Sequence, residues 1–69
     1  MDSRQVVGRN VRRLRERLSL SQEELAFETE LHRTYISGVE RGVRNPTVLV
    51  IDRLAKALGV TPHLLLKPR

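Results

Sequence analysis

Apolar residues recur at helical spacing along the first quarter of the chain. Val7, Val11, Leu14 and Leu18 follow one another at intervals of four, three and four positions, which places them on one face of an α-helix. The opposite face carries a set of arginines, namely Arg9, Arg12, Arg13 and Arg17. The pattern predicts an amphipathic helix over residues 3–18, with its apolar face turned toward a core.

The second predicted helix covers residues 21–29. Ser21 is a residue type that caps helix N-termini well, and Glu24, three positions later, can complete a capping box. Leu25 and Ala26 then point inward. The helix is short, and a tight turn is expected after it.

The third predicted helix covers residues 33–41, with Ile36 and Val39 inward and Gly42 as its stop signal. The two helices together have the pattern of a helix-turn-helix, whose second helix enters the DNA major groove. Taken alone, the pattern also fits an ordinary helical hairpin, because fold does not by itself imply function.

Two more helices are predicted in the last third of the chain. Thr47 can cap a helix over residues 47–58, whose inward stripe is Val48, Ile51, Leu54, Ala55 and Leu58. Thr61, with Pro62 at the first helical position, starts a short helix over residues 61–66. No segment predicts a strand, so the expected fold is all-α with five helices.

Length and composition narrow the function classes. The 69 residues predict one domain, residues 1–69, near the lower size limit for an unaided hydrophobic core. Cysteine is absent, and the two aromatic residues, Phe27 and Tyr35, are too few for a platform that stacks single-stranded nucleic acid. A net charge of +5 indicates an anionic partner such as DNA or RNA.

The sequence predicts neither a membrane protein nor an enzyme. No apolar run approaches the ~20 residues of a membrane span, and the N-terminus lacks the apolar core of a signal peptide, so we expect a cytoplasmic protein. His32 and His63 are far apart and outside any cluster of acidic residues, which argues against a metal site. Without a catalytic constellation, we expect no enzyme activity, no cofactor and no small-molecule ligand.

Three runs between Gly8 and Leu66 resemble one family of DNA-binding proteins. The runs are GRNVRRLRERLSLSQEELA, RTYISGVERGVRNPTV and RLAKALGVTPHLL. They are similar to the lambdoid-repressor and Cro-like helix-turn-helix proteins, the XRE family, and HRTYISGVERGVRNPT is especially similar to the small controller proteins of restriction-modification systems. The resemblance implies a five-helix repressor-like domain that binds double-stranded DNA as a homodimer on an inverted-repeat operator and regulates transcription. The alternative is an antitoxin-type module that binds a toxin partner and its own promoter.

The resemblance also implies which residues contact DNA. Arg33, Thr34 and Ser37 of the third helix are expected at base edges, with Arg33 paired to guanine O6 and N7. Phosphate contacts are expected from Gln22, Tyr35, Arg41, Arg44 and Asn45. Gly38 directly follows Ser37, and close approach of the helix backbone to DNA would explain a glycine there.

The family pattern further implies a salt bridge between Arg15 and Glu40, which links the first helix to the end of the third. Two positions depart from that pattern. Glu30 stands where the family usually has a glycine in the turn, and a left-handed residue with a side chain costs roughly 1 kcal/mol. His32 replaces the usual Ser or Thr cap of the recognition helix, so Thr29 or a water is the expected substitute.

Apolar residues exceed what the last two helices can bury. Leu64, Leu65 and Leu66 are consecutive, so one short helix cannot turn all three toward its own core. Leu49 and Val50 fall outside the inward stripe of the fourth helix. We expect these five residues at a symmetric homodimer interface, and the alternative is an unpacked apolar tail.

Overall fold

The structure, a computed structural model, describes residues 2–68, and within that range it contains five α-helices and no β-strand. The helices are α1 (Ser3–Arg17), α2 (Gln22–Thr29), α3 (Arg33–Glu40), α4 (Val48–Leu58) and α5 (Pro62–Leu66). The predicted all-α, five-helix class is confirmed for this range. Ser21, Thr47 and Thr61 precede their helices as N-caps. Across the described residues, every helix is too short or too polar to cross a membrane.

Local hydrogen bonds set the start of α2. The Ser21 hydroxyl accepts a hydrogen bond from the Glu24 N–H at 3.0 Å, and the Glu24 carboxylate accepts one from the Ser21 N–H at 2.8 Å. This capping box confirms the predicted cap, since it satisfies two N–H groups that the helix itself leaves without partners. The hydrogen bond from the Ser21 backbone is the main cause that lowers the pKa of the Glu24 carboxyl. Asp2 and Gln5 form a second capping box at the start of α1.

The core is shared by all five helices. Helix α1 packs against α3, α4 and α5, while α2 packs against α3 and α4. The largest fully buried side chains are Val7, Val11, Leu25, Ile36, Val39, Leu54 and Leu65. Helix α3 is therefore held from behind by α1 and α2, and its other side remains toward solvent.

Two residues that the periodicity placed inward are exposed, which corrects the prediction for them. Leu18 is the C-cap of α1 and lies where the chain turns through Ser19, whose φ of 58° is left-handed. Val48 is the first residue of α4, and the stripe of that helix that reaches the core begins at Ile51. Both residues fit the apolar spacing of their helices, but they lie at helix ends that do not contact the core.

Helix α5 buries the middle one of three consecutive leucines. Leu65 is fully buried, whereas Leu64 and Leu66 on either side of it are exposed. This corrects the expectation that Leu65 lies at a dimer interface, because the chain's own helices already cover its side chain. At the other end of α5, the Thr61 hydroxyl hydrogen-bonds His63 Nδ1 at 3.0 Å and makes no capping bond to the described backbone.

Candidate nucleic-acid interface

Helix α3 has a core side and a solvent side. Ile36 and Val39 are fully buried and anchor the helix. Arg33 and Thr34 are exposed and Ser37 is half-buried. Arg33 and Ser37 are four positions apart, so they lie one turn apart along the same side of the helix. The structure thus places the three predicted base-contact residues on the solvent side of α3.

Glu30 makes the turn between α2 and α3. Its φ of 58° and ψ of 34° are left-handed, which confirms the conformation expected at the position of the family's glycine. The next residue, Leu31, donates its N–H to the Ala26 carbonyl at 3.0 Å, and its side chain packs against the core. The turn therefore follows the usual backbone path, although a side chain occupies the strained position.

His32 is the N-cap of α3 and makes no side-chain capping bond within residues 2–68. Its carbonyl accepts the first hydrogen bonds of the helix, from the N–H groups of Tyr35 and Ile36 at 3.0 and 3.1 Å. Thr29 does not take over the capping role. Its hydroxyl donates to the carbonyl oxygens of Leu25 and Ala26 at 2.8 and 3.2 Å, and so it fastens the end of α2.

A buried ion pair joins α1 to the end of α3. Arg15 Nε lies 2.6 Å from Glu40 Oε2, and Arg15 Nη2 lies 3.0 Å from Glu40 Oε1, so the guanidinium binds the carboxylate through two parallel hydrogen bonds. The two side chains are 11% and 4% exposed. Arg15 Nη1 also donates to the Leu20 carbonyl at 2.7 Å. One arginine thus fixes both α3 and the loop that leads into α2.

Gln22 connects α2 to the same carboxylate. Its Nε2 donates to Glu40 Oε1 at 3.1 Å. The hydrogen bond to Glu40 raises the pKa of Arg15, which keeps the arginine charged at any ordinary pH. Since an amide NH₂ has two hydrogens, the Glu40 contact leaves Gln22 a second donor.

Arg44 is exposed, but its side chain lies against the end of α3. Its guanidinium carbon is 5.9 Å from the centroid of the Tyr35 ring, within the range of a cation–π contact. A Cβ built on Gly38 would lie 2.6 Å from Arg44 Cγ. The glycine therefore makes room for the Arg44 side chain, which is a reason that the sequence alone did not suggest.

The loop after α3 presents further basic and polar side chains. Gly42 is left-handed with a φ of 75°, and the N–H of Val43 donates to the Gly38 carbonyl at 3.0 Å. These features fold the loop back along α3 and leave Arg41, Arg44 and Asn45 exposed. On the α1 side, a cleft of about 180 Å³ is lined by Gln5, Arg9, Glu40 and Arg41. The helical pattern places Arg9 on the solvent face of α1, but its position beside Arg41 is seen only in the structure.

The residues expected at a dimer interface separate into two groups. Leu49, Leu64 and Leu66 are exposed, and they lie on α4 and α5, which pack against each other. Val50 is half-buried and packs against the chain's own core, as Leu65 does more completely. The exposed group is the one most available to another molecule.

The arrangement is suited to bind a grooved polyanion. A short helix exposes small polar side chains and is followed by basic loop residues, and the B-DNA major groove, about 12 Å wide, admits one helix. The rigid network behind α3 limits its freedom to tilt. Recognition of a repeating phosphate backbone also agrees with the net charge of +5.

Known proteins share both the sequence and this geometry. The helix-turn-helix family model HTH_3 matches residues 11–65. Control protein C.BamHI of Bacillus amyloliquefaciens is 52% identical over 64 residues, which cover 91% of this chain and 79% of that protein. Restriction-modification controller protein C.AhdI from Aeromonas hydrophila has a crystal structure with a TM-score of 0.86 at 45% identity, covering 90% of this chain and 94% of that one.

A third relative has been crystallised on DNA. The controller protein C.Esp1396I forms a tetramer in complex with its natural 35 base-pair operator. It matches this chain with a TM-score of 0.84 at 32% identity, over 94% of this chain and 86% of that one. These similarities confirm the predicted resemblance and the repressor-like character of the fold.

Proposed function

The chain belongs to the helix-turn-helix family HTH_3, the XRE-type DNA-binding transcription regulators, and from this we propose that it acts as a homodimer that reads an inverted-repeat operator. The observation that carries the proposal is the solvent side of α3. Arg33, Thr34 and Ser37 share it, and they are assigned to base edges in the major groove. Arg33 pairs with a guanine, as arginine does most often in specific contacts.

Phosphate contacts come from α2, from α3 and from the loop that follows α3. We assign them to Gln22, Tyr35, Arg41, Arg44 and Asn45. Arg41, Arg44 and Asn45 are exposed beside the helix, and Gln22 has a second amide hydrogen to donate. Such contacts set the register of the protein on the duplex, while the base contacts supply the specificity.

The homodimer is assigned to the exposed apolar side chains of α4 and α5. Leu49 is 73% exposed, and it belongs with Leu64 and Leu66 in a two-fold interface in which each subunit contributes the same patch. A small domain gains the most from such burial. Two copies of α3 would then enter successive major grooves roughly 34 Å apart, one DNA turn.

Selection from random DNA duplexes tests the operator. We expect an inverted repeat to be recovered, and binding to it to weaken steeply with salt. With about six phosphates neutralised per dimer, the slope of log K against log salt is expected near −5. Recovery of unrelated sequences, or of a single unpaired half-site only, would contradict the proposal.

A matched pair of leucines tests the dimer interface. Leu66 and Leu18 are 48% and 49% exposed, but Leu66 lies on α5 and Leu18 lies at the end of α1. Leu66→Ser is expected to raise the dimer dissociation constant in sedimentation equilibrium, and Leu18→Ser is expected to leave it unchanged. The opposite order would move the interface away from α5.

The similarity to C.BamHI and C.AhdI supports a more specific role as the controller of a restriction-modification system. Sequencing the neighbouring genes tests this assignment. A flanking methyltransferase or endonuclease gene is expected, and an adjacent toxin gene would favour an antitoxin instead.

A further inference from the structure

Asn10 is a buried polar residue on α1 whose role the DNA-binding face does not explain. Its side-chain Nδ2 donates to the carbonyl oxygens of Leu64, Leu65 and Lys67, at 3.2, 2.9 and 3.0 Å. Arg13 Nη2 lies 3.4 Å from Asn10 Oδ1. Three carbonyl acceptors around one nitrogen require the amide to present its NH₂ end to α5.

Helix α5 depends on partners from outside itself. It has five residues, and so short a helix is unstable alone because nucleation is not repaid by propagation. Its last carbonyl groups have no partners within the helix. The Asn10 amide supplies donors to them from α1, and Leu65 supplies the buried apolar contact. One amide and one leucine therefore hold the helix against the domain.

The same contacts determine where α5 presents its exposed leucines. Leu64 and Leu66 flank Leu65 in the chain, and Asn10 binds carbonyl groups on both sides of Leu65. Arg15, also on α1, holds the end of α3 through Glu40. Helix α1 thus connects the base-contact helix at one position to the exposed apolar helix at another.

We propose that Asn10 is a positioning residue for the homodimer: by binding the end of α5 to α1, it sets the place of Leu64 and Leu66 relative to α3. The inference rests on the proposed function, since it takes those leucines as part of the dimer interface. It makes the amide of Asn10 a determinant of how tightly two subunits associate, and of the half-site spacing that the dimer accepts.

Two substitutions separate the donors of Asn10 from its size. Asn10→Ala removes the whole amide, while Asn10→Asp keeps the size and the Arg13 contact but has no N–H to donate. Thr29→Val is the control, because Thr29 is also buried and also donates to helix carbonyls, yet those belong to α2. The variants are compared at pH 8, well above the ordinary pKa of an aspartate side chain, about 4.

The dimer dissociation constant, from sedimentation equilibrium, is the main measurement. Both Asn10 variants are expected to raise it about tenfold or more, because one buried hydrogen bond to Leu65 and the part-buried ones to Leu64 and Lys67 are lost. Hydrogen exchange at residues 64–66 is expected to accelerate in the same variants. The affinity of monomers for a duplex with one half-site is expected to stay within about threefold of the parent, since the Arg15–Glu40 pair is untouched.

The outcomes distinguish this role from general stability. A dimeric parent whose Asn10 variants dissociate as the parent does would overturn the role of Asn10 and leave the proposed function standing. An equal increase in Thr29→Val would also overturn it, because loss of stability alone would then explain the effect. A monomeric parent would overturn the homodimer itself and the role of Asn10 with it.

Discussion

A Cβ atom at Gly8 would lie 2.8 Å from the carbonyl oxygen of Glu40 and closer still to that of Val39. The backbone of α1 therefore touches the last turn of α3 at a distance that only glycine permits. Both obstacles are main-chain atoms, which cannot rotate away as the end of a side chain can. Arg15 lies about two turns after Gly8 on α1. The close crossing of the two helices brings its side chain within reach of Glu40.

Gly8→Ala is expected to destabilise the protein by about 2 kcal/mol or more, because overpacking outweighs the better helix propensity of alanine. Urea unfolding measures the effect. Gly38→Ala is the control, since its obstacle is a side-chain atom, Arg44 Cγ, rather than the main chain. We expect a smaller loss of stability there. Equal losses in the two variants would mean that the α1–α3 crossing has no special role.

Arg15→Ala is expected to cost about 3–5 kcal/mol, because it leaves a buried carboxylate without its partner. Arg12→Ala is the control. Arg12 also pairs with an acid, Glu16, at 3.3 Å, but those side chains are 65% and 56% exposed, and exposed pairs contribute less than about 1 kcal/mol. Denaturant midpoints that fall equally in both variants would contradict the importance of burial.

Contacts between residues close together in the sequence could be predicted from the residue pattern, whereas contacts between residues far apart in the sequence could not. The Ser21–Glu24 capping box depends on neighbours within a few positions, so the sequence alone indicates it, whereas the left-handed Glu30 is expected from the family resemblance. Which leucine of α5 turns inward depends on α1 and α4, and the Asn10 amide finds its acceptors 54–57 positions away. Such contacts leave no periodic signal in the chain.

The same distinction holds for the residues that we assign to DNA contacts. The solvent exposure of Arg33 and Thr34 follows from the helical period once Ile36 is placed inward. The packing of Arg44 over Tyr35 and beside Gly38 depends on how the loop folds back, which residue types do not specify. The family resemblance implies roles for these residues, but their contacts with one another are seen only in the structure.

Glu30→Gly is expected to stabilise the fold by up to about 1 kcal/mol, since glycine relieves the left-handed strain, although it also gains entropy in the unfolded chain. Glu28→Gly, inside α2, should instead destabilise by about 1 kcal/mol. Thermal unfolding compares the two. A lower midpoint for Glu30→Gly would show that the Glu30 side chain contributes a contact that outweighs its backbone strain.

Arg33→Ala is expected to lose ~1–3 kcal/mol per half-site on the operator and to relax the preference at one base pair. Arg44→Ala should weaken binding to all duplexes about equally and make the slope of log K against log salt less steep. Arg53→Ala, an exposed charge on α4, is the control for net charge. If Arg33→Ala lowers specific and non-specific affinity alike, Arg33 contacts phosphate rather than a base.

Acid is expected to weaken the folded state through the two capping boxes. Hydrogen bonds lower the pKa of Asp2, chiefly from Arg4, and of Glu24, chiefly from Ser21. A carboxyl with a lower pKa when folded contributes stability above its unfolded value of about 4, and that contribution is lost as pH falls through the folded pKa. Glu24→Gln should therefore flatten the fall in urea midpoint below about pH 5, and Glu23→Gln should not. A parallel fall in both variants would contradict this origin.

The hydrogen bonds from Asn10 to α5 also have a consequence for biosynthesis. During synthesis the residues of α1 are made before those of α5. The apolar face of α1 therefore lacks its contact with Leu65 until α5 has left the ribosome. An incomplete product that stops before residue 62 exposes that face and is open to aggregation or proteolysis. The core of this domain therefore closes only after α5 has been made.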